Sequence, residues 1–175
     1  MKIKVIFATA IAAALAALLA ISLAGCSGGG SSNASGSGAK TLEDIDTSSF
    51  PTTPLKLYNE VPSDYHGLPT ITPDELKAKI DSGEQMVIVD VNSASMYADG
   101  HIDGAISIPW STSCFTQDPE LPRGVPLYFY CVCADEEDSG AMGMSAVKDW
   151  GYRNITLLKG GTPAWQKAGY ELVAS

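Results

Sequence analysis

Short apolar runs alternate with stretches of helical character over residues 68–175. Four runs are rich in β-branched or aromatic residues and predict buried strands: residues 86–91, about 105–108, 125–132 and 154–161. Helices are predicted between and after these runs: residues 73–81, 94–99, 139–152 and 162–169. Strands that alternate with helices in this way predict an α/β fold in a single domain, with a central parallel sheet flanked by helices on both faces.

Two of the predicted helices carry start signals. Thr72 is a typical N-cap, Pro73 suits the first helical position, and Glu75 completes a capping box. Thr162 and Pro163 mark the start of the last helix in the same way. The first helix is therefore expected to begin at Pro73.

The N-terminus has the features of an export signal. Lys2 and Lys4 precede an apolar run that extends to Ala24, so residues 1–25 are interpreted as a secretory signal peptide. The run is long enough for a membrane span, but LAGC at residues 23–26 resembles the bacterial lipobox. That resemblance implies that Cys26 is lipidated and anchors an exported domain to a membrane of the bacterial cell envelope.

Two segments separate this N-terminus from the predicted domain. Residues 26–40 are rich in Gly and Ser and predict a flexible tether. Residues 41–67 contain three prolines and no helical or strand periodicity, which predicts an extended arm lying on the domain. Residues 68–175 are expected to form the domain itself.

The acidic charge of the chain excludes one class of partner. The whole sequence carries 11 basic and 20 acidic residues, and loss of residues 1–25 removes two lysines, which leaves a net charge of −11. A surface of that charge does not bind nucleic acid. It also adds no attraction to an anionic membrane, so the membrane is expected to be contacted through the lipid alone.

Cysteines provide the candidate chemistry. Besides Cys26 the chain has Cys114, Cys131 and Cys133, and the odd count leaves at least one thiol free unless two chains pair. Cys131 and Cys133 follow a predicted strand and precede a predicted helix, which is where parallel sheets bind ligands. Zinc sites usually space paired cysteines by two to four residues, so no metal and no cofactor are expected. The sequence does not place Cys114.

Three fragments together resemble the single-domain rhodanese family of sulfurtransferases. They are VIVDVNSASMYADGHIDGAISIP at 87–109, the cysteine loop CVCADEEDS at 131–139, and GYRNITLLKGGTPAWQKAGYEL at 151–172. The resemblance spans about residues 71–172. It implies a rhodanese-like fold and a cysteine that carries sulfur as a persulfide, within a loop whose backbone amides surround the sulfur.

The resemblance favours Cys133 as the catalytic residue. Cys133 lies six residues before Ser139, the usual spacing of the family loop, and a subgroup with a C-x-C-P-x-E-x-x-S loop differs here only by Ala134 in place of proline. Cys131 remains the alternative, because it ends the strand where the ordinary family cysteine lies. The substrate-binding loop is then Ala134, Asp135, Glu136, Glu137, Asp138 and Ser139.

The same loop departs from the family in charge. Family members that use thiosulfate resemble one another in having basic residues here and an arginine after the DV of the second strand, whereas this chain has four consecutive acids and Asn92. Carboxylates near a thiol raise its pKa unless they point to solvent. Asp138 is expected to cap a helix that begins near Ser139. The donor is expected to be a small sulfur compound other than thiosulfate, or protein-borne sulfur.

Two other functions fit the same residues. Cys131 and Cys133 could form a reversible disulfide, or Cys131 could release sulfide from a persulfide on Cys133; a disulfide across one residue is strained and easily reduced. Alternatively, the domain is a non-catalytic binding module that uses the loop to recognise a partner. His101 and Asp90 are expected to hold neighbouring loops in place.

Overall fold

The computed structural model describes residues 39–110 and 117–175. The predicted signal peptide at 1–25, Cys26, nearly all of the predicted tether, and Cys114 lie outside these residues. None of the helices described is long and apolar enough to cross a membrane.

Five parallel strands form one sheet in the order β1-β5-β4-β2-β3. The strands are β1 (Thr70–Ile71), β2 (Val87–Asp90), β3 (Ile106–Ser107), β4 (Leu127–Tyr130) and β5 (Ile155–Leu158). The last four confirm the predicted strands, with shorter bounds. Strand β1 was not predicted, because two residues are too few to show a strand period. The central strand β4 leads directly into the cysteine loop.

Four helices accompany the sheet: α1 (Pro73–Asp81), α2 (Ala94–Asp99), α3 (Glu137–Trp150) and α4 (Gly161–Lys167). The capping box at α1 is confirmed, since Thr72 Oγ1 accepts from the Glu75 backbone N–H (3.3 Å) and Glu75 Oε2 accepts from the Thr72 N–H (2.9 Å). The predicted start of α4 at Thr162 is one residue late. Single 3-10 turns also occur at Leu42–Asp44 and Tyr65–Gly67.

Two apolar clusters cover the two faces of the sheet. Along β4, Phe129 belongs to the cluster that includes Met142 and Val147 of α3. Tyr128 and Tyr130 belong to the other cluster, which includes residues of α1, α2 and α4. This alternation along one strand confirms an α/β sheet with helices on both faces.

The segment before the sheet packs against the domain. The Leu55 N–H donates to Arg123 O (2.7 Å), and the Leu57 N–H donates to Arg153 O (2.8 Å). Ile45, Phe50 and Tyr58 are partly buried against the cluster on the α3 face. These residues therefore cover apolar surface of the domain.

Candidate functional site

The cysteine loop lies at the carboxyl end of β4, between β2 and β5. Its main chain is held from both sides. The Val132 N–H donates to Asn92 Oδ1 (2.8 Å) after β2, and the Thr162 N–H donates to Cys131 O (3.0 Å) from α4. Asn92, at the position where the resemblance implies an arginine, thus holds the loop by a hydrogen bond. This role of Asn92 was not predicted, because a contact across 40 residues leaves no local pattern.

Gly161 makes the close packing of the loop against α4 possible. Its φ is +53°, and a Cβ there would lie 2.2 Å from Cys131 O. An L-residue side chain therefore does not fit at this position without moving the loop. The preceding Gly160 also has a positive φ, of +74°.

Cys131 is completely buried, with 0% of its surface exposed. Its Sγ accepts from the Cys133 N–H (3.3 Å) and lies 3.6 Å from Ser139 Oγ and 3.7 Å from Cys133 O. Ser139 is buried as well and donates to Glu136 O (3.2 Å). Cys131 is therefore enclosed by the loop and has no open path to a donor molecule.

Cys133 is partly exposed, and its Sγ donates to Asp138 Oδ2 at 3.3 Å. Burial raises the pKa of the Cys133 thiol to about 12. The Asp138 backbone N–H lowers this pKa, but the burial outweighs it, and hydrogen bonds with Cys131 and the Asp138 carboxyl raise the pKa further. The thiol is thus neutral at neutral pH.

The acids of the loop do not all point to solvent. Asp135 and Glu137 are exposed, whereas Glu136 accepts from the Gly160 N–H through its carboxylate and has a left-handed φ of +60°. Asp138 faces Cys133. The predicted N-cap role of Asp138 is wrong, because α3 begins at Glu137, two residues earlier than expected, with Glu136 as the N-cap residue.

The earlier start of α3 has a physical cause in Glu136. The Gly140 N–H donates to Glu136 O at 2.6 Å, which closes the first turn of α3 over residues 136–140. Asp138 therefore lies inside the first turn, where its own amide faces the Cys133 sulfur. Of the loop predicted to bind substrate, Ala134 is exposed and Ser139 is buried.

A shallow cavity of about 280 Å³ adjoins the loop at Val132. Apolar and polar side chains share its wall, among them Asn92, Met96, Asp99 and Gln166. Val132 is 43% exposed, so it presents an apolar side chain beside the cysteines. Larger cavities of about 420 and 720 Å³ contain no residue of the cysteine loop.

His101 and Asp90 hold the framework around the loop. The His101 ring stacks on Tyr97 (centroids 3.7 Å apart, 9° between planes), and its Nδ1 lies 2.8 Å from Tyr97 O. Asp90 is fully buried, accepts from the Asn92 N–H (2.8 Å), and has a pKa raised by burial. Within residues 39–110 and 117–175, no three His, Cys, Asp or Glu side chains cluster as metal ligands would.

Comparison with known protein families gives one match that spans the site. The family model described as "Rhodanese-like domain" matches residues 72–168. A protein described as "probable adenylyltransferase/sulfurtransferase MoeZ", from two strains of Mycobacterium tuberculosis, is 34% identical over 99 residues. That match covers 56% of this chain but 24% of the relative, so the chain corresponds to about a quarter of the relative's length.

Solved structures agree in fold. The rhodanese-like domain of the Alr3790 protein from Anabaena sp. is 30% identical, with a TM-score of 0.52 over 61% of this chain and 80% of its own. A rhodanese-like domain protein from Staphylococcus aureus is 27% identical, with a TM-score of 0.50 over 62% of this chain and 99% of its own. A thiosulfate sulfurtransferase from Pseudomonas aeruginosa, at 22% identity and a TM-score of 0.52 over 62% of this chain and 21% of its own, shares the fold.

Proposed function

Because the chain belongs to the rhodanese-like family, whose model matches more than half of its 175 residues, we propose that it is a sulfurtransferase. In this proposal Cys133 accepts a sulfur atom, carries it as a persulfide and passes it to an acceptor. Relatives with a sulfurtransferase description support the activity class. The proposed chemistry requires no cofactor.

The observation that carries this proposal is the position of the Cys133 sulfur. It lies at the N-terminus of the 14-residue helix α3, beside the Asp138 backbone N–H, and is partly exposed. A helix N-terminus stabilises an anion such as a persulfide through its unpaired amides. Cys131 has the same chemistry but no exposed surface. We therefore assign the role of sulfur carrier to Cys133 and not to Cys131.

The charges around the loop support a donor other than thiosulfate. Asp138 contacts the Cys133 sulfur, and Asp135 and Glu137 are exposed nearby. These carboxylates repel a dianionic donor such as thiosulfate, which weakens its binding. A small sulfur compound of lower negative charge, or sulfur held on another protein, fits the loop better.

We also propose that the domain acts in the bacterial cell envelope, held to a membrane through a lipid on Cys26. The features that support this are the export signal at residues 1–25 and LAGC at residues 23–26. The net charge of −9 for the whole chain disfavours nucleic acid as a partner. Fractionation of cells that express the full-length chain tests the location: recovery in the soluble fraction contradicts it.

The sulfurtransferase proposal predicts that Cys133, and not Cys131, gains sulfur. After incubation with several sulfane-sulfur donors, intact mass should show one added sulfur atom in the wild type and in Cys131→Ser, and none in Cys133→Ser. Sulfur release to cyanide should follow the same pattern. The wild type gaining no sulfur from any donor would exclude the activity, and uptake retained in Cys133→Ser would transfer the role to Cys131.

A non-catalytic binding module is the second candidate, and the raised pKa of Cys133 favours it. A neutral thiol is a weaker nucleophile than a thiolate. If the module is correct, Cys133→Ser should keep the cellular function of the wild type. The sulfurtransferase proposal predicts instead that Cys133→Ser loses this function.

A further inference from the structure

The thiol of Cys133 donates to the carboxylate of Asp138, with 3.3 Å between Sγ and Oδ2. Within the part of the chain that the structure describes, Asp138 is the one carboxylate that accepts a hydrogen bond from this thiol. As a fixed charge, this carboxylate only suppresses the thiolate. As a base, it is already in contact with the proton that the thiol loses when sulfur binds.

We propose that Asp138 is a catalytic proton acceptor for Cys133, and that the donor is a sulfane-sulfur compound with at most one negative charge, such as an organic thiosulfonate. This inference rests on the proposed sulfurtransferase function. In the step, the S–H bond of Cys133 breaks and its proton moves to Asp138 Oδ2. At the same time Sγ bonds to the sulfane sulfur, and the bond from that sulfur to the sulfonyl group breaks. Its electron pair leaves with the sulfinate.

The charge of the site stays constant through this step. Before the reaction, Asp138 is a carboxylate and Cys133 is a neutral thiol; afterwards, Asp138 is neutral and the persulfide on Cys133 is an anion. The anion then lies next to a protonated carboxyl group instead of a like charge. It also faces the Asp138 backbone N–H, which stabilises a negative charge on this sulfur. A dianionic donor, by contrast, would have to approach while Asp138 is still charged.

Among the described side chains, no other carboxylate or histidine accepts a hydrogen bond from the Cys133 thiol. Around the pair, the described titratable groups are Cys131 at the end of β4, Asp135, Glu136 and Glu137 in the loop and α3, and Tyr65 in the 3-10 turn. Asp135 and Glu137 are exposed, and the Glu136 carboxylate is occupied by the Gly160 N–H. No described Lys, Arg or His side chain forms a hydrogen bond or ion pair with Cys133 or Asp138. Asp138 is therefore the base that contacts the thiol proton of Cys133.

The deciding variant is Asp138→Asn, because the two possible roles of the carboxylate predict opposite results. Sulfur uptake from benzenethiosulfonate should be followed by intact mass in single-turnover reactions near neutral pH. If Asp138 accepts the proton, the variant should be about 100-fold slower. Its thiolate absorbance should nevertheless appear at lower pH than in the wild type, because the carboxyl that raises the Cys133 pKa is gone. A variant with more thiolate and equal or faster uptake overturns the proposal.

Asp149→Asn is the matched control, since it makes the same charge change on the same helix. The Asp149 carboxylate accepts from Ser145 Oγ (2.7 Å) and does not contact the cysteine loop. Uptake in this variant should equal that of the wild type. Circular dichroism of both variants checks that the fold is retained.

The pH profile of the wild type tests the same idea without any substitution. Neither benzenethiosulfonate nor its sulfinate changes protonation between about pH 6.5 and 9, so the profile reports on the protein. With Asp138 as base, the uptake rate should be nearly constant over this range. A rate that rises about tenfold per pH unit would mean that free thiolate is the nucleophile and would exclude the role of Asp138.

The failures of the two proposals differ in their readout. No uptake in the wild type from any donor contradicts the sulfurtransferase function, and with it the role of Asp138. Uptake in the wild type that Asp138→Asn leaves intact contradicts only the role of Asp138. Faster uptake from thiosulfate than from benzenethiosulfonate contradicts the proposed class of donor.

Discussion

At the scale of single residues, burial decides the properties of the ionisable groups near the loop. The carboxyl of Asp90 has no exposed surface, and Asn92 gives it one backbone hydrogen bond of 2.8 Å. Desolvation is the largest influence on its pKa, which is raised in the folded protein. The folded state therefore holds this proton more tightly than the unfolded chain does.

Asp90 should make the free energy of unfolding depend on pH. Its contribution is complete below the pKa of the unfolded chain, about 3.9, and is lost as pH rises through the higher folded pKa. Asp90→Asn keeps an oxygen for the Asn92 N–H but has no charge to bury. Urea unfolding should show that the stability of Asp90→Asn relative to the wild type increases from about pH 4 to 7. A difference that is constant or decreases would contradict this explanation.

At the scale of elements, the site depends on how closely α4 approaches the loop after β4. Gly161 packs closely against Cys131 O, and the Thr162 N–H donates a hydrogen bond to the same oxygen. The Gly160 N–H donates a hydrogen bond to the Glu136 carboxylate. The start of α4 and the start of α3 are thus joined through the cysteine loop. Displacing either helix start moves the cysteines.

Gly161→Ala should disrupt this junction. The new Cβ would lie 2.2 Å from Cys131 O and 2.8 Å from Cys133 O, at a φ of +53°. Gly169→Ala is the control, because Gly169 also has a positive φ, of +89°, but nothing within 4 Å of its added Cβ. Both variants lose the conformational freedom of glycine, so the difference between their free energies of unfolding measures the clash of the Cβ at position 161. By urea denaturation we expect Gly161→Ala to be about 2 kcal/mol less stable than Gly169→Ala, and equal stabilities would refute the close approach.

The sequence predicted those elements whose signals are local. Thr72 and Glu75 cap α1 by contacts within four residues, and α2 was predicted at its observed bounds, Ala94–Asp99. The orientation of Asp138 and the partner of Glu136 were not predictable in this way. Glu136 bonds Gly160, 24 residues away, and this bond exists only once β4 and β5 are adjacent. The hydrogen bond from the Val132 N–H to Asn92 Oδ1 joins residues 40 positions apart and was not predictable for the same reason.

At the scale of the whole molecule, residues before the first strand are part of the folded structure. Two backbone hydrogen bonds, from Leu55 and Leu57, join this segment to loops near β4 and β5. Partly buried Ile45, Phe50 and Tyr58 cover the cluster on the α3 face. The family match begins later, at residue 72. The stable unit is therefore longer than the family domain.

A truncation measures this contribution. A chain that begins at residue 68 should be less stable than one that begins at residue 39 by about 5 kcal/mol, because it lacks five large side chains that are each about half-buried: Leu42, Ile45, Phe50, Tyr58 and Tyr65. Thermal and urea unfolding of the two chains provide the comparison. Equal stability would show that the segment rests on the surface without stabilising it.

The neutral state of Cys133 has a consequence for the lifetime of the protein. Oxidation by disulfides and peroxides proceeds through the thiolate, so a thiol with a pKa of about 12 reacts slowly with both. An exposed cysteine of low pKa would be consumed where such oxidants are abundant. Burial and the hydrogen bond to Asp138 thus slow those oxidation reactions of the sulfur that require a free thiolate.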